Sequence, residues 1–276
     1  MIDCGEGTQM QLRKFRIRFG KINHIFISHL HGDHIFGLFG LIFSFSLIGR
    51  TATLHIFGPE QTEELILDHL RFFQNELSFD ISFHTFQHRR SALIYHDQKI
   101  EVMTIPLKHR IPTCGFLFRE KQVPRNIKKD MVEKYQISIK DIVKIKNGKD
   151  YKTGNGKIIP NSELTLPPFC TRSYAYCSDT AYSEDIIDLV RSVDLLYYET
   201  TFLQKDEDLA VETLHSTTSQ AAEIALKANV GKLIIGHFSS RYKNYDTFEQ
   251  EAQAIFPNTK AVMDGDVFSI NRVREK

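Results

Sequence analysis

The chain has 276 residues, 42% of them hydrophobic and 25% charged, and a formal net charge of +1. That length suits one large domain, or one domain with an insertion, and the balance of residues is that of a soluble globular protein. A membrane-spanning helix is excluded, because the apolar run at 36–48 is too short and carries glycines and serines. The start lacks a basic region followed by an apolar core, so no secretory signal is expected. Cys4, Cys114, Cys170 and Cys177 show no paired spacing. Reduced thiols in a cytoplasm are therefore expected.

In chain order, β-branched and aromatic runs predict strands over 22–27, 53–57, 77–86, 100–107, 114–118, 174–177, 195–198, 233–235 and 267–270. Helices are predicted over 33–45, 60–73, 184–190, 218–228 and 246–256. Ser183 is placed to cap the third of these, with Glu184 and Asp185 in its first turn. Thr217, Thr218 and Ser219 offer caps to the fourth, which should stop near Asn229 and Gly231. Strands and helices interleaved over the whole length argue for a layered α/β domain.

One segment interrupts the pattern. Between Arg119 and Lys157 there are twelve Lys or Arg against five Asp or Glu, a net +7 that leaves −6 for the remainder. Apolar residues are sparse there, and Gly148, Gly154 and Gly156 punctuate its second half. An extended or loosely folded insertion over 119–160 is expected, outside the core. Its charge fits a polyanion contact, most plausibly nucleic acid, and equally a solvated charged hairpin with no ligand.

The run Ser28-His29-Leu30-His31-Gly32-Asp33-His34 carries three imidazoles and a carboxylate directly after a predicted strand. Neutral imidazoles with a carboxylate are the donor set that suits zinc and related divalent ions. His109, Asp179 and His237 each follow the end of a later apolar run. Loops leaving strand ends in layered α/β folds converge on one edge. His29, His31, Asp33, His34, His109, Asp179 and His237 are then enough for two metals sharing one carboxylate.

The order HxHxDH, then a His, an Asp and a His after later strands, resembles the ligand series of the metallo-β-lactamase superfamily. More narrowly, the chain is similar to the ribonuclease Z family of tRNA 3′-processing endonucleases. The stretches that carry the likeness are Asp3-Cys4-Gly5-Glu6-Gly7-Thr8-Gln9, Tyr198-Glu199-Thr200-Thr201-Phe202, His215-Ser216-Thr217 and Phe238-Ser239-Ser240-Arg241-Tyr242. The resemblance implies an αββα four-layer sandwich with an inserted basic arm. It implies two zinc ions, with manganese suiting similar ligands: His29, His31 and His109 on one, Asp33, His34 and His237 on the other, Asp179 between them. It assigns Asp33 as general base, and Glu199 and His215 as a pair assisting the leaving oxygen.

The implied reaction removes the 3′ trailer of precursor tRNA, leaving a 3′-hydroxyl on the tRNA and a 5′-phosphate on the trailer. The implied assembly is a homodimer. The arm would grip tRNA through residues such as Arg125, Lys128, Lys129, Lys140, Lys144, Lys146 and Lys149, although the Gly-Pro motif common in such arms is absent from it. Family members also carry a strand hairpin before the Asp-Cys-Gly stretch, whereas this chain opens Met1-Ile2-Asp3, so those strands are expected to be missing. Alternative readings are another hydrolase of this fold acting on small phosphodiesters, or an inactive RNA-binding truncation.

Overall fold

The computed structural model describes residues 1–73 and 76–274. The chain divides into two compact units, one formed by Met1–His96, Glu101–Phe118 and Ser173–Phe268, the other by Asp97–Ile100, Arg119–Arg172 and the residues from Ser269 on.

The first unit opens with α1 (Thr8–Lys14), β1 (His24–Phe26), α2 (Gly32–Leu47), β2 (Leu54–Gly58), α3 (Gln61–Phe72), β3 (Ile81–Thr85), β4 (Leu93–His96), β5 (Ile100–Pro106) and β6 (Cys114–Glu120). The second unit holds β7 (Asn126–Ile127), α4 (Lys129–Tyr135), α5 (Ile139–Lys146), β8 (Tyr151–Lys152), β9 (Ile158–Ile159), α6 (Asn161–Leu164) and β10 (Thr165–Leu166). The chain then returns to the first unit with β11 (Ser173–Cys177), β12 (Leu195–Glu199), α7 (Glu207–Thr213), α8 (Thr218–Lys227), β13 (Leu233–Gly236), α9 (Asp246–Gln253) and β14 (Thr259–Ala261).

Two sheets form the middle of the first unit. One is the parallel set β1-β2-β3, and the other runs β14-β13-β12-β11-β6-β5-β4. Apolar positions at i, i+3, i+4 and i+7 on α2 (Ile35, Leu38, Leu41, Ile42, Phe45) bury against Ile25, Ile27, Leu54 and Ile56. On the far side α8 and α9 cover Ala175, Leu196, Tyr198 and Ile235 with Ala221, Ala225, Phe248 and Ala252. Between the sheets the filling is aromatic: Phe26 lies 5.6 Å from Phe116 and 5.4 Å from Phe118, and Phe57 lies 5.7 Å from Tyr95. Helix, sheet, sheet and helix stack in that order, the metallo-β-lactamase sandwich.

Several expectations change. Residues 184–190 form only a 3₁₀ turn, Glu184–Ile186, capped by Ser183. Bonds over three residues, from Ile187 N to Glu184 O and from Leu189 N to Ile186 O (3.0 Å each), tighten the segment, and a four-residue bond follows from Val190 N to Ile186 O (3.1 Å) without extending into an α-helix. No strand forms at 267–270, where Val267 is exposed just after the turn at Gly265 (φ 95°). Before β1, Ile2 makes an isolated parallel bridge to Phe26, which carries Asp3 to the sheet's edge.

The expected loose insertion is a folded unit. Ile137, Ile145, Ile159 and Leu164 are buried together, with Met131, Tyr135 and Ile142 packed on them. Buried Asn161 ties the pieces, its side-chain nitrogen donating to Ile145 O (2.7 Å) and Lys149 O (2.9 Å). The few apolar residues are far apart in sequence, so their convergence is invisible to a count of charge and hydropathy.

The approach of the N-terminal segment to α2 requires two glycines. A Cβ on Gly37 would stand 1.9 Å from Gly5 O, and one on Gly5 would stand 2.1 Å from Asp33 O. Gly→Ala inside a helix ordinarily stabilises by about 0.5–1 kcal/mol. Here overpacking against backbone wins, and Gly37→Ala should destabilise by about 1–3 kcal/mol in urea unfolding. An unchanged or raised midpoint would contradict the close approach.

Candidate metal centre

Each metal-type side chain sits where a strand ends. After β1 the chain passes Ser28 and His29 and enters α2 with His31 at its N-cap and Asp33 in its first turn. The parallel neighbours β11, β12 and β13 end together, and the loops there present Asp179, Glu199 and His237. His237 adopts φ 63° and Leu214, beside His215, φ 58°, left-handed backbone in non-glycine residues of the kind held at functional sites.

Asp179 divides the cluster in two. Its Oδ2 faces His29 Nε2 at 3.7 Å and His109 Nε2 at 3.8 Å, while its Oδ1 faces His34 Nε2 and His237 Nε2, each at 3.4 Å. His31 Nδ1 lies 3.0 Å from His29 Nε2 and 3.3 Å from His109 Nε2, completing one set with Asp179. Asp33 Oδ2, at 3.5 Å from His34 Nε2 and 3.9 Å from His237 Nε2, completes the other. Asp179 is almost fully buried, and its Oδ1 has no hydrogen-bond partner among the described residues. An unsatisfied buried carboxylate oxygen between converging ring nitrogens is the donor arrangement of a cation site.

The ring nitrogens turned away from the centre are occupied. Ser28 Oγ lies 2.9 Å from His29 Nδ1, Asp3 Oδ2 accepts from His34 Nδ1 at 2.8 Å, Leu214 O accepts from His109 Nδ1 at 2.9 Å, and Thr201 Oγ1 lies 2.8 Å from His237 Nδ1. Such partners fix the tautomer and aim Nε2 inward. Asp3 also accepts from Ser28 N (2.7 Å), Ser28 Oγ (2.8 Å) and the Tyr176 hydroxyl (3.2 Å). Asp3 holds both ligand-bearing segments.

Burial, then the neighbouring His34, His31 and His109, push His29 down to about 2, so its lone pair is available near neutrality. Burial likewise lowers His109. His237 behaves oppositely: burial opposes its charge, but Asp33, Asp179 and Glu199 raise it to about 9. Burial also opposes charge on His34, and Asp3, Asp179 and Asp33 outweigh it to raise the ring. The His237 ring beside Asp33 holds that carboxyl well below the usual range, although Asp33 is the exposed member of the set.

Next to this centre, Glu199 is fully buried and accepts from Thr180 N (3.1 Å), Ser216 N (3.0 Å), Thr201 N (2.8 Å) and His215 Nδ1 (2.9 Å). Burial raises its carboxyl, but the His215 bond and charge prevail and lower it. His215 keeps Nε2 for chemistry. It also falls within ligand distance of Asp179 and His237.

With this geometry, likeness to known proteins becomes specific. A ribonuclease Z of Bacteroides thetaiotaomicron is 51% identical over 271 residues, spanning 98% of this chain and 86% of that protein. The chain belongs to the ribonuclease Z family. A ribonuclease Z of Phocaeicola vulgatus is 53% identical, spanning 94% and 84% of the two chains. The crystal structure of human tRNase Z, short form, superposes with a TM-score of 0.68 at 26% identity, covering 98% of this chain and 87% of that one. A family model described as anti-Pycsar protein Apyc1 matches residues 1–261.

The structure thus brings together His29, His31, Asp33, His34, His109, Asp179, Glu199, His215 and His237. The basic residues named from the sequence all lie in the second unit. Arg125 turns inward to Asn161 Oδ1 (3.3 Å), Lys128 donates to Glu163 O (2.9 Å), Lys144 pairs with Asp141 (2.8 Å) and Lys146 is half-buried. Lys129, Lys140 and Lys149 are exposed. Sequence reasoning assigned no role to Asp3, Ser28 or Thr201. Asp3 and Thr201 stand in two of the stretches that carry the family likeness, a usable signal, whereas nothing in the spacing marks Ser28.

Metal content per chain separates ligands from neighbours. Asp179→Ala should lose bound metal while His215→Ala keeps it; metal loss in the second would make His215 a ligand. Asp3→Ala should weaken zinc affinity by roughly 10–100-fold through loss of orientation alone. Metal loading at pH 7 should also release protons, because His237, raised to about 9, is protonated before it binds. Calorimetry in buffers of different ionisation enthalpy reads that release, and no buffer dependence would contradict it.

Proposed function

We propose that this protein is a metal-dependent endoribonuclease that removes the 3′ trailer from precursor tRNA, working with two zinc ions per chain. The observation that carries this reading is the buried Asp179 carboxylate offering one oxygen to each ligand set, with the Glu199–His215 pair alongside. Relatives at about half identity over nearly the whole chain bear the ribonuclease Z name, which supports the substrate.

Two zinc ions held by His29, His31, Asp33, His34, His109, Asp179 and His237 would acidify a water and offset charge on the phosphoryl oxygens. Asp33, ionised and exposed beside His34 and His237, takes the proton of the attacking water. His215, held through Nδ1 by Glu199, donates from Nε2 to the departing 3′ oxygen. The tRNA leaves with a 3′-hydroxyl and the trailer with a 5′-phosphate. Glu199 is ionised and buried, so it stabilises the imidazolium that makes this donation possible.

The basic unit at 119–160 is the tRNA-gripping arm in this reading, and Lys129, Lys140 and Lys149 are its outward cations. The working form is a homodimer in the cytoplasm. No helix among the described residues is long and apolar enough to cross a membrane. The alternative reading is hydrolysis of a small phosphodiester at the same centre, which uses the same ligand sets.

Incubation of a precursor tRNA carrying a short 3′ trailer with the zinc-loaded protein tests the proposal. Cleavage after the discriminator nucleotide, lost in His215→Ala while metal is retained, is expected. Hydrolysis of a small diester without any cleavage of precursor tRNA would favour the alternative. Affinity for tRNA should fall steeply with salt, and Lys129→Ala with Lys140→Ala should lower the slope of log K against log salt by about 1–2.

A further inference from the structure

Away from the Asp179 centre, the three-stranded sheet carries a second group of imidazoles. His24 opens β1, at the other end of that strand from His29. His55 on β2 is its register partner, and the two rings stack at 5.0 Å with 13° between their planes. On the edge strand β3, Ser82 pairs with His55 and His84 pairs with Phe57, on whose ring it stacks at 4.4 Å. Alternation along each strand turns His24, Phe26, His55, Phe57, Ser82 and His84 to one face. Tyr95 of β4 meets that face, 4.7 Å from the His24 ring and 5.7 Å from Phe57.

His55 Nδ1 lies 3.1 Å from His84 Nε2, and Ser82 Oγ lies 3.1 Å from the same His84 nitrogen. Two ring nitrogens on one tetrahedral zinc, each at about 2.0–2.1 Å, stand about 3.3 Å apart. The rings of the Asp179 centre show the same spacing, 3.0 Å from His29 to His31 and 3.3 Å from His31 to His109. Burial, then His55, lower His84, so its ring is neutral near pH 7. All three residues are half-buried, and a cavity of about 370 Å³ bounded by Phe57, Leu93 and Arg90 reaches His84. A metal ion can replace the proton shared between two neutral imidazoles, that proton passing to the other nitrogen of its own ring. We infer that His55 and His84, with the Ser82 hydroxyl, bind a further borderline divalent ion such as zinc, which clamps the edge strand β3 to β2. The site holds no carboxylate and the exposed Arg90 borders its cavity, so it fills after the Asp179 centre. Donors from two strands meet only in the folded chain, and binding there stabilises the fold by mass action.

Equilibrium dialysis of the full chain against rising zinc, with metal analysis, counts the ions. At high zinc the wild type should bind one ion more than His55→Gln or His84→Gln, and at low zinc the same number. His96→Gln, at the exposed end of β4, should keep the extra ion. Once the Asp179 centre is filled, further zinc should still raise the wild-type urea midpoint, and that rise should vanish in His84→Gln. Equal zinc content in the wild type and both variants would overturn the site, and so would loss of the extra ion in His96→Gln. Wild-type crystals soaked in excess zinc read the site without any substitution. A weaker anomalous peak between His55 Nδ1 and His84 Nε2 is expected, and its absence would overturn the inference even if the variants fail to fold.

Discussion

The centre depends on one buried carboxylate. Asp179 is nearly inaccessible, yet its Oδ1 lacks a hydrogen-bond donor among the described residues, and four imidazole Nε2 atoms stand 3.4–3.8 Å from its two oxygens. A buried anion in that state is unfavourable unless cations are shared out on both sides. The division of the cluster follows from it, because His29 and His109 face one Asp179 oxygen and His34 and His237 the other. His29 and His237 shift in opposite directions: burial, then the neighbouring imidazoles, lower His29, whereas Asp33, Asp179 and Glu199 raise His237 against burial.

Holding such a site open requires a stiff surround, and the sandwich supplies it in a particular way. Parallel strands β11, β12 and β13 deliver Asp179, Glu199 and His237 from one sheet, while β1 and α2 deliver the HxHxDH run from the other. Asp3 ties the sheets at the centre, bonding Ser28 and His34 on one side and the Tyr176 hydroxyl of β11 on the other. Gly5 and Gly37 let that segment lie against α2 at a distance no side chain allows. The Glu199–Thr201–His215–His237 bonds then join the Glu199–His215 pair to the cluster of Asp33, His34 and His237.

Much of this was legible in the chain. HxHxDH after an apolar run is a local pattern with a direct chemical meaning, and single ligands after later strands gain meaning once strand ends are known to converge. The layered order of strands and helices was readable from periodicity for the same reason. What stayed hidden rests on contacts between residues distant in sequence. Ser28 looks like an ordinary polar loop residue until the ring it orients is seen. The insertion reads as loose because Ile137, Ile145, Ile159 and Leu164 are scattered among lysines, yet they meet in one core. Residues 184–190 have the caps of a helix but open with tighter three-residue bonds.

The claim that Asp179 shares its two oxygens between two metals is tested most directly by anomalous diffraction at the zinc edge from crystals of the zinc-loaded protein. Two peaks are predicted, one among His29, His31 and His109 and one among Asp33, His34 and His237, each beside a different Asp179 oxygen. A single peak, or a pair in which Asp179 contacts only one, would contradict the account.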